Sequence, residues 1–264
     1  MLNDKIAIVT GGASGIGAAT SKLLAKNGAH VFVLSEKPAS AMQAVCADIA
    51  GSGGHATALT CDVTDRASIT AALLAVEKTH ERLDVLVNCA GVFFRAPLQE
   101  MPTQHVDLMF AVNTLGAISM VQAALPLMRK SGDGGAIVNI ASAAAQLGVE
   151  GCAVYAASKA ALVHFTRTMA PELRRTGIRI NSVGPGSVRT PMLGFAGDEL
   201  TPEQEVSMAK RTANSPSPYG NAMMEPEDIA QVVLFLCSDA ARALQGSLVL
   251  ADQGFSAAMA APGG

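Results

Sequence analysis

At 264 residues, half of them hydrophobic, the chain is long enough to bury one sizeable core. A net charge of −3 with no basic run argues against nucleic acid or an anionic membrane as partner. The opening MLNDKIAIVT runs straight into strand-like sequence without a signal peptide, and no apolar stretch is expected to approach the roughly 20 residues that span a bilayer.

In chain order, residues 5–10 (KIAIVT) read as a short apolar strand running into glycines. A helical pattern follows over 16–27, with Ile16, Ala19, Leu23 and Leu24 near helical spacing and Gly28 as its stop. HVFVLS (30–35) is a second strand, and a helix over 38–50 ends at GSGG. ATALTCDV (56–63) is a third strand, followed by a helix over 65–80. LDVLVNCAG (83–91) is the fourth strand, and one helix is expected over 103–128. GAIVNIAS (135–142) is the fifth strand, and a long helix over 154–176 contains Pro171. IRINSVGPG (178–186) is the sixth strand, and 192–224 an irregular or helical insertion. A helix over 227–238, a seventh strand SLVLADQG (247–254) and a tail expected to be mobile complete the chain.

Short strands, apolar throughout and alternating with helices, predict an α/β fold: a doubly wound parallel seven-stranded sheet with helices on both faces. No linker or composition break appears, so residues 1–264 are expected to form a single domain, with a substrate-loop insertion at about 192–224. Ligands of such sheets bind beyond the carboxyl ends of the strands. Small or polar residues gather there: Thr10-Gly11-Gly12, residues 88–91, Ser142 and Gly184-Pro185-Gly186.

TGGASGIG places Gly11, Gly15 and Gly17 between a strand and a helix. Glycines let backbone approach a pyrophosphate, and a helix N-terminus offers unpaired N–H groups and a positive dipole end. A plain strand-to-helix turn would use the same residues. The second strand ends Ser35-Glu36-Lys37. Glu36 suits a ribose hydroxyl and hence NAD, the preferred expectation; Ser35 and Lys37 suit the 2′-phosphate of NADP. Asp62 is placed either to reach an adenine amino group or to cap the following helix.

Tyr155 and Lys159 are spaced i, i+4, which puts them on one helix face. A free phenol titrates near about 10, and a nearby cation is expected to lower it. Such a phenol can exchange a proton with an alcohol or carbonyl oxygen, which Ser142 is placed to hold. Taken alone, the pair reads as easily as a half-buried aromatic and a solvated lysine. The five histidines are dispersed, so no metal is expected, and the five scattered cysteines without CxxC spacing read as reduced thiols of a cytoplasmic protein. Phe93, Phe94, Leu147, Val149, Met192, Leu193 and Phe195 suggest a mainly apolar substrate pocket, with Arg95 its one nearby cation.

With these residues in hand, the sequence resembles the short-chain dehydrogenase/reductase family, of Rossmann fold, over nearly its whole length. TGGASGIG is similar to that family's TGxxxGxG, which implies a nicotinamide dinucleotide lying over Gly11, Ser14, Gly15, Ile16 and Gly17. The resemblance extends the cofactor set to Ser35 and Glu36, to Asp62 and Val63 of CDV, and to Asn88, Ala90 and Gly91 of NCAG, where Cys89 replaces a usual Asn. GPGSVRTP adds Pro185, Gly186, Val188 and Thr190. Asn113, Ser142, Tyr155 and Lys159 match the catalytic set, with Asn113 orienting a relay water and Lys159 also bonding the nicotinamide ribose. Asp252-Gln253-Gly254 departs from the family's DGG, and the Arg usual before PEDIA is missing.

The resemblance implies hydride transfer between NAD(P) and a secondary alcohol or ketone, and a homotetramer; the apolar side chains named above suggest a medium-sized, cyclic or steroid-like substrate. A 3-oxoacyl thioester reductase is the alternative. A non-catalytic dinucleotide sensor or scaffold is the reading from a different class.

Overall fold

The computed structural model describes residues 2–132, 134–195, 201–213, 215–221 and 223–259. The strands are β1 (Ile6–Thr10), β2 (His30–Ser35), β3 (His55–Thr60), β4 (Val85–Asn88), β5 (Gly135–Ile140), β6 (Ile178–Pro185) and β7 (Leu248–Ala251). The helices are α1 (Gly15–Lys26), α2 (Ala39–Gly51), α3 (Arg66–His80), α4 (Thr103–Phe110), α5 (Ala117–Lys130), α6 (Ala153–Glu172), α7 (Pro202–Ala213), α8 (Pro226–Cys237) and α9 (Phe255–Met259). All seven strands run parallel in one sheet, in the order β3-β2-β1-β4-β5-β6-β7. The order reverses between β1 and β4, so their carboxyl ends open a crevice. Register aligns Thr10 with Asn88 and Asn88 with Asn139 along that rim.

Side chains alternate across the sheet by size. One face carries Ala7, Val9, Val31, Val33, Val85, Val87, Ala136 and Val138, packed with Leu24 of α1, Met42 and Val45 of α2, and Ile229 and Val233 of α8. The other carries Ile6, Ile8, Phe32, Leu34, Leu86, Ile137 and Ile180 against Ile69 and Val76 of α3 and Met120, Ala124 and Met128 of α5. Each fully buried Val, Leu, Ile, Phe or Met contributes roughly 1.5–3 kcal/mol, so both faces are well paid in apolar burial.

The rod from α4 through α5 corrects two expectations. Instead of one helix, residues Ala111–Gly116 form a π-helical turn between α4 and α5. Thr103–Lys130 is also long and apolar enough by length and composition to cross a bilayer, against the expectation that no stretch would be. Here its inner face, from Met120 to Met128, packs on the sheet.

Other differences are local. Apolar runs continue past the ladders, so β3, β4 and β7 end earlier than their sequences suggest, at Thr60, Asn88 and Ala251. Helix α6 stops at Glu172, just after Pro171. The tail is not uniformly irregular: Phe255–Met259 is helical, while residues 260–264 lie outside the described residues. The insertion holds a 3-10 turn (Pro191–Leu193) and α7, with 196–200, 214 and 222 outside the described residues.

At the opposite end of the sheet, Asp84 is buried at 2% exposure. Its carboxylate accepts from Ile6 N (2.9 Å) and Arg82 Nε (3.1 Å), and lies 3.4 Å from Lys5 Nζ. Asp84→Ala strips the Ile6 N–H of its acceptor and breaks this ion cluster, so a loss of about 2–4 kcal/mol is expected. Urea unfolding measures it; an unchanged midpoint would assign the cluster no role in stability.

Candidate active site

The first strand-to-helix turn needs its glycines for two reasons. Gly11 (φ 65°) and Gly15 (φ 51°) are left-handed, while a Cβ on Gly17 would stand 2.2 Å from Gly11 O. Ser14, in the N-cap position of α1, makes no side-chain cap; its Oγ instead accepts from Lys37 Nζ at 2.7 Å. The first turn of α1 contains no acidic residue. An uncapped N-terminus with no neighbouring carboxylate on its own turn suits an anion.

The β4 turn is tied to β1, since Cys89 N and Ala90 N both donate to Thr10 Oγ1 at 3.1 Å. Asn88, expected both to stabilise its strand and to face the cofactor, does the first: it lies inside the sheet and is not among the cleft's lining residues. It is 3% exposed, and its Nδ2 donates to Asn139 Oδ1 at 2.9 Å, which continues through Asn139 Nδ2 to Thr166 Oγ1 at 2.8 Å. It is therefore a strand-to-strand tie.

Asn113 occupies the π-helical turn. Its Oδ1 accepts from Val92 N (2.8 Å), and its Nδ2 donates to Val92 O (3.0 Å) and Ser158 Oγ (3.1 Å). Both amide hydrogens are thus engaged within the protein. The side chain locks the loop after β4 to α6. The widened turn is what lets Asn113 reach inward.

Lys159 projects from α6 and its Nζ donates to Ile140 O, the last residue of β5, at 2.8 Å. One turn earlier, Tyr155 stands beside Ser142, whose hydroxyl acts to lower the phenol. Ser142 begins the turn after β5, and its Oγ also accepts from Ala144 N at 3.2 Å. Phe93 packs edge-on against the phenol ring, with centroids 4.8 Å apart. The three groups therefore meet, as the spacing predicts.

Their electrostatics depart from expectation. Burial pushes the Tyr155 phenol up to about 12; the Ser142 hydroxyl opposes this, and the Cys152 and Cys89 thiols add to it. Burial pulls Lys159 down to about 8, opposed by Cys89. The phenol is thus raised where a lowering by Lys159 is expected: the ammonium lies 6.0 Å from the ring centroid, and removal from water is the largest influence on the phenol.

These groups share one cleft of about 620 Å³. Gly11, Ser14, Gly15, Ile16 and Gly17 line one end, with Ser35, Glu36, Lys37, Asp62 and Val63. Gly91, Ser142, Tyr155, Lys159, Pro185, Gly186 and Val188 line the rest, and Ala90 and Thr190 join the two parts, Ala90 standing against Gly11 and Thr190 against Gly15. Asp62 Oδ1 accepts from Thr64 N (2.8 Å) and Thr64 Oγ1 (2.7 Å), whereas the cap of α3 is Asp65. Phe93, Phe94, Leu147, Val149, Met192 and Leu193 give the second end its apolar wall. Arg95 and Phe195 are not among the lining residues; a Cβ on Gly151 would meet Arg95 Cγ at 3.0 Å, so Arg95 packs over that glycine. Sequence reasoning missed Val112, Ser187 and Phe255, also in the lining. An Asp three residues before Phe255 was the available signal for a short capped helix.

The residues fit a dinucleotide. The glycine turn leaves no room for a Cβ at Gly11, which would stand 2.8 Å from Ala90 Cα, or at Gly17. The uncapped α1 terminus suits the pyrophosphate, and polar groups at Ser35, Glu36 and Asp62 line the far end.

Comparison with known proteins agrees with this geometry. A family profile described as enoyl-(acyl carrier protein) reductase matches residues 11–256. A cyclopentanol dehydrogenase of Comamonas sp. is 36% identical over 259 residues, covering 97% of this chain and 98% of that protein. A 3-oxoacyl-(acyl-carrier-protein) reductase of Thermotoga maritima is 36% identical over 253 residues, covering 96% and 98%. The crystal structure of a short-chain type dehydrogenase/reductase from Mycobacterium marinum superposes with a TM-score of 0.86 at 31% identity, covering 96% of each chain. With its parallel sheet, glycine cradle and Ser142–Tyr155–Lys159 cluster, the chain belongs to the short-chain dehydrogenase/reductase family of oxidoreductases.

Proposed function

We propose that the protein interconverts a secondary alcohol and a ketone, with a medium-sized apolar, often cyclic, substrate. The observation that carries this reading is the Tyr155 phenol, beside Ser142 and one helical turn from Lys159, in a cleft shared with the glycine cradle. The nicotinamide dinucleotide, when bound, supplies or accepts the hydride. Tyr155 gives the proton to the carbonyl oxygen in reduction, and takes it back in oxidation. Ser142 holds that oxygen beside the phenol. Lys159, fixed by Ile140 O, keeps two further N–H donors for a ribose hydroxyl.

The cyclopentanol dehydrogenase relative and the apolar wall of Phe93, Phe94, Leu147 and Met192 both support a cyclic substrate. The Thermotoga maritima relative supports the 3-oxoacyl thioester alternative. A silent sensor would not need the Ser142, Tyr155 and Lys159 cluster. A panel of cyclic ketones with NADH and NADPH tests the reading; no turnover with either dinucleotide would overturn it.

For the dinucleotide, Glu36 supports NAD, but one observation favours NADP. Lys37 Nζ bonds Ser14 Oγ at 2.7 Å, and Lys37 N bonds Ser35 Oγ at 3.1 Å. An ammonium and two hydroxyls thus gather at the cleft end that suits a ribose 2′-phosphate. The expected result is NADPH binding about tenfold tighter than NADH, a preference that Lys37→Ala erases. Fluorescence titration reads it, and tighter NADH binding by the unaltered protein would restore NAD as the cofactor.

All five cysteines are free, which supports a reducing, cytoplasmic location. Leu108 and Leu115 on the α4–α5 rod, Phe235 on α8 and Leu250 on the edge strand β7 are exposed apolar residues that support a homotetramer. Neither nucleic acid nor a membrane is proposed as partner.

A further inference from the structure

We propose that Phe255 is a partition between two halves of a longer substrate channel, and that the protein accepts elongated ketones whose far end carries a hydrogen-bond acceptor. This deepens the ketone-reductase reading and rests on it.

Beside the main cleft lies a second cavity of about 310 Å³. Phe255 and Ser187 line both spaces, so one aromatic ring and one serine stand between them. The ring is not held by deep packing, since Phe255 is 43% exposed. It is held by backbone geometry. Gln253 (φ 52°) and Gly254 (φ 85°) are both left-handed, which bends the chain sharply after β7. Asp252, 9% exposed, then fixes the bend: Oδ1 accepts from Gly254 N (3.1 Å), Oδ2 from Ser256 N (2.9 Å), and its main-chain O from Phe255 N (3.0 Å). A Cβ on Gly186 would stand 2.9 Å from Asp252 Cβ, so this anchor presses against the lining at the end of β6. A non-glycine residue in left-handed conformation is costly unless the surroundings impose it.

The second cavity differs in chemistry from the apolar wall beside Tyr155. Met223 and Met224 give it an apolar side, while Lys210 and Gln253 add donor-bearing side chains. Among the described residues the one lining carboxylate is Asp252, which already accepts main-chain N–H groups on both oxygens. A carbon chain passing Phe255 would therefore enter a space lined by both thioethers and donor-bearing side chains, which suits a ketone ending in a carboxylate or carbonyl.

The test compares kcat/KM for cyclopentanone, 2-octanone and 7-oxooctanoate in the unaltered protein, Phe255→Ala and Phe255→Trp. Removing or enlarging the partition is expected to move the 7-oxooctanoate-to-cyclopentanone ratio about tenfold up or down, respectively. Lys210→Gln is expected to lower the 7-oxooctanoate-to-2-octanone ratio about fivefold in the Phe255→Ala background. If the protein reduces cyclopentanone but both Phe255 variants leave the first ratio within threefold, the partition is wrong. If the unaltered protein reduces none of the three with either dinucleotide, the ketone-reductase reading fails and the partition falls with it.

Discussion

Tyr155→Phe is expected to lower kcat for ketone reduction by about 10²–10⁴-fold while leaving dinucleotide binding within about twofold. The change removes one oxygen. The ring can keep its edge-on contact with Phe93, and the glycine cradle at the other end of the cleft is untouched. Loss of one polar contact beside Ser142 costs about 1 kcal/mol of stability at most, too little to explain a rate loss of that size. A purely structural tyrosine would show the reverse, with activity kept. The pH dependence has a defined sign. Because burial raises the phenol to about 12, it stays protonated and ready to donate through neutral pH, whereas alcohol oxidation needs the phenolate and should quicken as pH rises. Steady-state rates in both directions, together with a dinucleotide titration, decide the matter. Full reductase activity in the Phe variant would remove Tyr155 from the chemistry.

The chemistry-bearing parts of this site are legible in the sequence because each depends on a local constraint. Tyr155 and Lys159 share a face by helical period alone, and Gly11, Gly15 and Gly17 mark a turn whose backbone excludes a Cβ or needs positive φ. What escapes the sequence is set by distant contacts. The π-helical turn at Ala111–Gly116 accompanies the bonding of Asn113 to Val92, twenty-one positions earlier, and a helical period cannot reveal it. The partner that lets Asn88 stabilise its strand, Asn139 across the sheet, lies 51 positions on, beyond the reach of any local pattern. The wall formed by Phe255 depends on two left-handed residues after β7 in a tail whose composition suggests no structure. Charge patterning misleads in a different way: i, i+4 spacing states that Lys159 is near Tyr155, but only burial states which group pays for the proximity.

That burial makes Lys159 the site of a trade between stability and activity. Lys159→Met is expected to abolish most turnover, by about 10²–10⁴-fold, yet to raise stability at pH 7 by about 1–2 kcal/mol. An exposed lysine in the unfolded chain titrates at 10.5, and in the fold burial brings Lys159 to about 8. Below about 8 both states hold the proton, and the folded state bears the whole cost of the buried charge, roughly 3 kcal/mol. Between about 8 and 10.5 the unfolded chain binds the extra proton, so native stability rises with pH across that window. Methionine has similar length and no charge, so it removes the penalty, but it also loses the 2.8 Å bond to Ile140 O, which offsets about 1 kcal/mol. The variant should therefore melt a few degrees higher than the unaltered protein at pH 7, with the gap closing as pH approaches 10. Thermal unfolding at several pH values tests both the sign and the window. A variant that is less stable at pH 7, or whose difference from the unaltered protein does not change between pH 7 and 10, would show that the lysine is not held as a costly buried cation.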